Sequence, residues 1–412
     1  MKKWMLLLAL LLCLTAAAGA EDSQPYTLVV ATDMHYLSPS LTDMGERFLN
    51  SVYTSDGKVI HYSSQICEAF VRDMLLLKPD AVIVSGDITL NGAPVSHREF
   101  AAMMARLQDA GIQVLVIPGN HDVGGQAYRF DADGPHAMPN ASISEFYQIY
   151  QGLGYADALS RDPNSLSYVA KLSDELWALM LDVNANRAQN LIKPITYTWI
   201  EEQLKLAQAQ GVRVIGVSHQ NLMAHNPFFV DGNVIRQSQK LLRLYRQYGV
   251  TLHLSGHIHT QHIMTEEAVT EIVTASMALN PGYYGVIRLA GGKPLSYDAI
   301  PVDVSAWAKE IGETNEDLLH FSEYTEAFFY EVVRRKVAAA VKGLPIDEAE
   351  KARMTEFWVL TSIRDFSGTR SPDDDETALA LWDQYLPDTI STIYLHGVLD
   401  APAQNMTHYL FD

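Results

Sequence analysis

The sequence predicts an α/β fold, two β-sheets carrying helices, followed by a helical C-terminal region. Three observations predict it. Short apolar runs ending in polar or glycine-containing turns alternate with helical patterns from residue 27 to residue 254. A further set of strands lacks long helices between its members, and strand signals stop after residue 303 of the 412.

In chain order, residues 1–20 leave the fold argument. Lys2 and Lys3 precede an apolar stretch from Trp4 to Leu14, and Ala18-Gly19-Ala20 follows. This is the pattern of a secretory signal peptide cut after Ala20. The apolar stretch is short against the roughly 20 residues of a membrane span. A lipid anchor on Cys13 is the weaker reading, because Cys13 lies inside that stretch and Leu12 precedes it. Cleavage leaves Cys67 as the single cysteine, so the mature chain has no internal disulfide, which suits an exported bacterial-envelope or secreted enzyme. Cys67 shares helical spacing with Phe70, Val71 and Met74 and reads as a buried small hydrophobe.

Residues 27–31, 81–85, 114–117, 212–217 and 252–254 read as buried strands, with helices over 65–77, 96–109, 196–210 and 235–248 between them. Strands at 167–170, 176–181, 271–275, 285–289 and 295–300 belong to a second sheet packed on the first. Residues 37–61 are rich in turn formers, lack clear periodicity and read as an insertion over the site. The expected division is 21–303 for the main domain and 304–412 for the helical one. In the latter, Thr314 and Asp317 resemble a capping pair, and Gly343 with Pro345 marks a stop. A second helix is expected over 347–364 and a third from Ser371-Pro372, with Asp373, Asp374, Asp375 and Glu376 in its first turn, where the macrodipole favours negative charge; calcium binding there is the weaker reading. The tail reads as a packing appendage over a sheet edge or helix face.

The formal charge is −19, and loss of Lys2 and Lys3 makes it more negative. Such a surface repels polyanions and argues against sequence-independent nucleic-acid binding, while a small phosphate ester remains a suitable partner if cations meet its charge locally. No motif speaks to the oligomeric state.

Five short motifs follow buried strands: Asp33-Met34-His35, Gly86-Asp87, Gly119-Asn120-His121-Asp122, Ser218-His219 and Gly256-His257-Ile258-His259. Ligand sites in α/β sheets gather at the carboxyl ends of strands, so five separate segments converge. Singly, each reads equally well as a cap or a solvated imidazole. Together they supply oxygen and nitrogen ligands without thiolate, a set suited to Mn, Fe or Zn.

In order and completeness these motifs resemble the calcineurin-like metallophosphoesterases, over roughly residues 27–303. The resemblance implies a two-sheet αββα sandwich. It also implies one metal held by Asp33, His35, Asp87 and His259 and a second by Asp87, Asn120, His219 and His257, with Asp87 shared. A bridging hydroxide between ions about 3.5–4 Å apart would attack phosphorus in line. His121 is then free to act on the leaving oxygen, with Asp122 placed to orient it. Purple acid phosphatases of the same superfamily place a tyrosine three residues after the bridging aspartate; here that position is Leu90, so no purple colour is implied.

Selectivity lies in the loops, where residues 37–61, 124–140 and 221–233, the last with His225, Phe228 and Phe229, are the candidates. Resemblance of Gly119-Asn120-His121-Asp122 to the cyclic nucleotide phosphodiesterase branch favours a phosphodiesterase. The alternatives are a secreted phosphomonoesterase and a non-catalytic metal-binding module that docks a partner through its tail; the free His121 argues against the module. Exported protein is expected to begin at Glu21, as N-terminal sequencing would read; a chain starting at Met1 in the membrane fraction would make the segment an anchor instead.

Overall fold

A computed structural model describes residues 25–185, 189–369, 375–401 and 404–411. The expected signal segment and the residues from Ser371 to Asp374 lie outside the described residues. Six strands form one sheet in the order His408–Leu410, Lys293–Pro301, Tyr283–Ala290, Tyr26–Ala31, Ala81–Val84 and Gln113–Val116. The last three are mutually parallel and the remaining pairings antiparallel. Seven form the other, ordered His262–Glu266, Val269–Val273, Leu252–Ser255, Arg213–Ser218, Leu176–Leu181, Tyr168–Lys171 and Ser160–Arg161. Its four central strands from Val269–Val273 to Leu176–Leu181 are parallel.

The strand Leu176–Leu181 shows why the layers stack as they do. All six residues are buried, as expected of a strand covered on both faces. Leu176, Ala178 and Met180 join a core shared with Leu28, Val30 and Val82 of the first sheet, whereas Trp177, Leu179 and Leu181 join a second core with Ile200, Leu204, Leu241 and Tyr245. The period-two alternation therefore assigns one face to the opposing sheet and the other to helices Pro194–Gln210 and Ser238–Tyr248. Helices Ser63–Leu77 and Pro94–Asp109 connect the parallel strands of the first sheet and pack into its core through Phe70, Met74, Phe100 and Met104. The result is the αββα sandwich.

The helical C-terminal region comprises Val304–Ile311, Glu316–Leu319, Phe321–Val341, Glu348–Ser367, Glu376–Tyr385 and Ile390–Leu399. Helix Phe321–Val341 has two buried faces: Phe321, Phe328 and Val332 enter the sandwich core, while Phe329, Val333, Val337 and Val341 meet Met354, Phe357 and Trp382 in a third core. Helix Glu348–Ser367 starts at a capping box, with Asp347 Oδ1 accepting from the Glu350 amide at 2.8 Å and Glu350 Oε2 accepting from the Asp347 amide at 3.3 Å.

Several expectations are corrected. The expected second sheet is divided between the two observed ones: residues 285–289 and 295–300 join the sheet of 27–31, 81–84 and 114–116 through the long-range antiparallel pairing of Tyr283–Ala290 with Tyr26–Ala31, whereas 168–170, 176–181 and 271–273 join 213–217 and 252–254. The chain is not helical to its end: His408–Leu410 returns to pair with Lys293–Pro301 and close that sheet edge. Asn315, not Thr314, caps the short helix by accepting from the Asp317 amide, and Asp375 caps helix Glu376–Tyr385 by accepting from Thr377 and Ala378. Residues 37–61 contain the helix Glu46–Tyr53, and residues 124–140 contain the hairpin Ala127–Asp131 with Gly134–Met138. The helix expected from 235 begins at Ser238, because Ile235 instead pairs its amide with Asn221. Cys67 is buried and free. Among the described residues, no helix is long and apolar enough to cross a membrane.

Helix Phe321–Val341 grips the inserted segment through His61, whose ring nitrogen lies 2.7 Å from the Tyr324 hydroxyl. Burial pushes the His61 imidazole down to about 4 from an ordinary 6.5, against the pull of Asp317. The stability carried by the neutral ring is therefore complete above pH 6.5 and is lost as pH falls toward about 4. His61→Gln is expected to lose less melting temperature than wild type across that window in calorimetry at matched ionic strength.

Candidate metal centre

The carboxyl ends of the parallel strands from both sheets point to one place. Register aligns Ala31 with Val84 and Val84 with Val116, and the pairing continues beyond the strands where the Asp33 and His35 amides donate to the Gly86 and Asp87 carbonyls. In the second sheet, Val217 aligns with Leu254, which brings Ser218-His219 and Gly256-His257 side by side.

The backbone turns sharply at each motif. Asp33, His35, Asp87, His257 and His259 all adopt left-handed conformations, with φ of 51°, 44°, 44°, 71° and 63°. Such conformations are uncommon for residues with a Cβ and persist only where the surroundings impose them, typically at functional sites. The glycines permit the close approaches. A Cβ at Gly119 would lie 2.2 Å from both the amide nitrogen and Oδ1 of Asp87, and one at Gly256 would lie 2.0 Å from Thr32 Oγ1.

Six of the seven expected ligands form two groups of converging donor atoms: Asp33, His35 and His259 in one, Asp87, His219 and His257 in the other. Asp87 also groups with His35 and His121, so its carboxylate stands between the two. Its Oδ2 is 3.2 Å from His219 Nε2, 4.0 Å from His35 Nε2 and 3.9 Å from His121 Nε2, while Oδ1 accepts from the His121 amide. Asn120, the seventh, is oriented through its amide oxygen, which accepts from Gln220 Nε2 at 3.2 Å; Gln220 is held in turn by Asn184.

The donor set fits cations. Asp33 Oδ1 is buried without a hydrogen-bond partner, although His259, His35 and His219 nitrogens stand 3.2 to 4.0 Å away. Two pairs of imidazole nitrogens face each other, His35 with His259 at 3.3 Å and His219 with His257 at 3.2 Å. His219 uses Nδ1–H on the Ser85 carbonyl, which leaves Nε2 as the lone pair turned inward. Without another positive charge, burial opposes the charged His219 ring, yet Asp87 and Asp33 push it up to about 9; burial and the His219 charge push His257 down to about 3. Neighbouring imidazoles forced to opposite protonation states around buried carboxylates are groups that a bound cation would satisfy together.

Asp122 does not orient His121. Its Oδ1 accepts from the Thr89 amide and hydroxyl, and its Oδ2 from the Gly119 and Ile88 amides, so its lone pairs are spent bracing two ligand loops. His121 is oriented by the Leu90 carbonyl, 2.8 Å from Nδ1. A carbonyl only accepts, so Nδ1 carries the proton and Nε2 faces the site on a side chain 38% exposed. His225 is buried against Glu271 at 3.0 Å, and Glu271 also accepts from the Leu222 and Met223 amides, which pins the loop after His219. Phe228 and Phe229 pack against Tyr394 of the tail, with ring centroids 6.1 and 6.2 Å away. Gln220, Thr32 and Glu271 were not singled out from the sequence; adjacency of Gln220 to His219 and of Thr32 to Asp33 is the signal for two of them, and nothing in the sequence signals Glu271.

Residues 26–261, more than half of the chain, match the calcineurin-like phosphoesterase family model. The chain belongs to that family. It is a metal-dependent phosphoester hydrolase, and the paired donor groups agree with the dimetal centre typical of calcineurin-like phosphoesterases. Residues 303–403 match a second family model, the C-terminal domain of cyclic nucleotide phosphodiesterase. No curated protein matches the chain. Among solved structures, a dimetal phosphatase from Danio rerio is similar at 14% identity and a TM-score of 0.45, covering 68% of this chain and 96% of its own. A purple acid phosphatase from yellow lupin seeds is similar at 15% identity and 0.42, covering 68% and 52%. A putative 5'-nucleotidase from Staphylococcus aureus is similar at 14% and 0.40, covering 73% and 58%.

Gly119→Ala would force a methyl group into the Asp87 carboxylate, an overpacking that costs about 1–3 kcal/mol. The variant is expected to fold with a lowered melting temperature and to hold less than about half of the wild-type metal by elemental analysis. Wild-type metal content would show that the close approach is dispensable.

Proposed function

We propose that this calcineurin-like phosphoesterase is a phosphodiesterase for small phosphodiesters or nucleotides, working with two Mn, Fe or Zn ions. The observation that carries the diester reading is the match of residues 303–403 to the C-terminal domain of cyclic nucleotide phosphodiesterase, alongside the Gly119-Asn120-His121-Asp122 motif. Export with cleavage after Ala20 belongs to the same reading and rests on the charged and apolar N-terminal pattern.

Asp33, His35, Asp87 and His259 hold one ion, and Asp87, Asn120, His219 and His257 the other, in this reading. Bound there, the ions would supply neutralisation of the phosphate oxygens and a water nucleophile at neutral pH. The protein's own groups divide the remaining work. Asp87 presents Oδ2 to both sides because the His121 amide occupies Oδ1. The Ser85 carbonyl fixes the His219 tautomer, and Gln220 holds the Asn120 amide oxygen by donating to it. His121 keeps Nδ1–H on the Leu90 carbonyl and, in its doubly protonated form, gives the Nε2 proton to the departing ester oxygen, which leaves the ring neutral with its remaining proton on Nδ1. Its exposure suits a group that must meet substrate.

Metal analysis with hydrolysis of bis- and mono-p-nitrophenyl phosphate after Mn²⁺, Fe²⁺ or Zn²⁺ loading tests this. About two metals per chain and faster turnover of the bis-ester are expected, and preference for the monoester would select the phosphomonoesterase. His121→Ala is expected to keep both metals and lose about 10²–10⁴ in turnover, whereas Asp87→Asn loses metal as well. Full occupancy with normal activity in Asp87→Asn would defeat the ligand assignment.

A further inference from the structure

None of the five motifs contains a lysine or arginine, so the ligand loops themselves offer no side-chain cation to an anionic substrate. One stands beside them. Lys58 is only 7% exposed and pairs with Asp56 at 2.5 Å, while the Asp56 side chain is 47% exposed. Lysine is almost never buried to this extent unless paired, and the pairing with Asp56 occupies one of the three ammonium donors.

The placement of Lys58 is tied to the centre through the backbone. The Val59 amide donates to the Ala278 carbonyl at 2.8 Å, and the Ala278 amide donates to the carbonyl of Asp33 at 3.3 Å. Two residues before Ala278, Ser276 donates its amide to the His259 carbonyl at 3.3 Å and its hydroxyl to the Asp33 carbonyl at 2.8 Å. The segment that anchors Val59 thus also binds the two ligand loops, and the turn carrying Asp56 and Lys58 flanks the side of the centre formed by Asp33, His35 and His259.

The C-terminal region holds this turn from behind. Gly57 has φ of +96°, and a Cβ there would lie 2.6 Å from Cδ2 of Phe329. Tyr53 packs on Phe328 at 5.4 Å between ring centroids, and the Tyr62 hydroxyl donates to Asp317 at 2.8 Å. The turn thus stands between the metal-ligand loops and helix Phe321–Val341.

We infer that Lys58 is a substrate-binding residue whose ammonium meets an anionic oxygen of the phosphate ester on the His35–His259 side, held in position by Phe329 through Gly57. The inference rests on the phosphoester reading for its substrate class. The Asp56 carboxylate keeps the ammonium oriented before substrate arrives, and its exposed position lets it yield to a phosphate. A hydrogen bond between an ammonium and a phosphate oxygen is charge-assisted at both ends and so among the stronger ones.

The test titrates inorganic phosphate into metal-loaded full-length protein by calorimetry and measures KM and kcat for the bis-ester. Lys58→Ala is expected to weaken phosphate binding about tenfold or more and to raise KM alike, with kcat falling less than about threefold. Metal content and melting temperature should stay at wild-type levels, and Lys58→Arg should restore affinity. Gly57→Ala, which keeps the cation but drives the turn against Phe329, is expected to weaken phosphate in the same direction. Phosphate affinity within about twofold of wild type in Lys58→Ala, or no phosphate binding by wild type, overturns the inference. Wild-type affinity in Gly57→Ala overturns the positioning by Phe329. If Lys58→Ala fails to fold, Lys58→Gln, which retains the stem, carries the comparison. Lys58-dependent phosphate binding without turnover of any ester would uphold the anion site while removing the hydrolase reading, so the two failures are distinct.

Discussion

Like charges and bare lone pairs gathered out of water are the constraint on which this molecule turns. Asp33 and Asp87 are buried with four imidazoles around them, and one carboxylate oxygen has no donor at all. Burying such groups is costly unless a compensating charge is present, so the surrounding fold must hold them against relaxation. It does so by distributing them over both sheets. Each ligand sits just past the end of a strand whose position is fixed by a ladder and by a shared apolar core, and none can withdraw without breaking that register. The left-handed backbone at five ligands is the local cost of making short loops aim inward.

A second tier of polar side chains takes the load off the ligands. Asp122 and Glu271 are both fully buried, and each accepts backbone amides from loops that carry a ligand. Carboxylates used this way act as local caps, fixing loop geometry with charge-assisted bonds. Asp122 occupies a position that in the sequence looks like a further member of the reacting set, whereas Glu271 lies within a strand and outside every motif.

The fold and the ligand types were legible because both follow strong patterns: apolar runs of four to six residues ending in polar turns, and histidine or aspartate at each end. What was not legible depended on long-range placement. Asp122 follows His121 directly, yet adjacent side chains diverge, and the partner that orients His121 is a carbonyl some thirty residues earlier, which no side-chain pattern reveals. The strand His408–Leu410 is three residues long, too short for periodicity to register, and exists because an edge is waiting for it. Lys58 lies in a segment that reads as a polar loop; only helix Phe321–Val341 behind it makes its position definite. The left-handed backbone at Asp33 and His35 is equally invisible, since Asp and His, although enriched in that region among residues with a Cβ, adopt it too seldom for residue type to place it.

The strand Tyr26–Ala31 is flanked by Ala81–Val84 on one side and by Tyr283–Ala290 on the other, with Val29 opposite Val286. The second neighbour lies in a part of the chain that a ribosome makes long after the first. Until it arrives, one flank of this central strand stays open, with its amides and carbonyls unpaired and the sandwich interior wet. Loop-closure entropy over so wide a separation must be met before the pairing gives anything back, which places this chain among slow folders whose partly formed sheets invite association with other chains. Assembly of the sheet is thus a late event, governed by residues far from the chemistry.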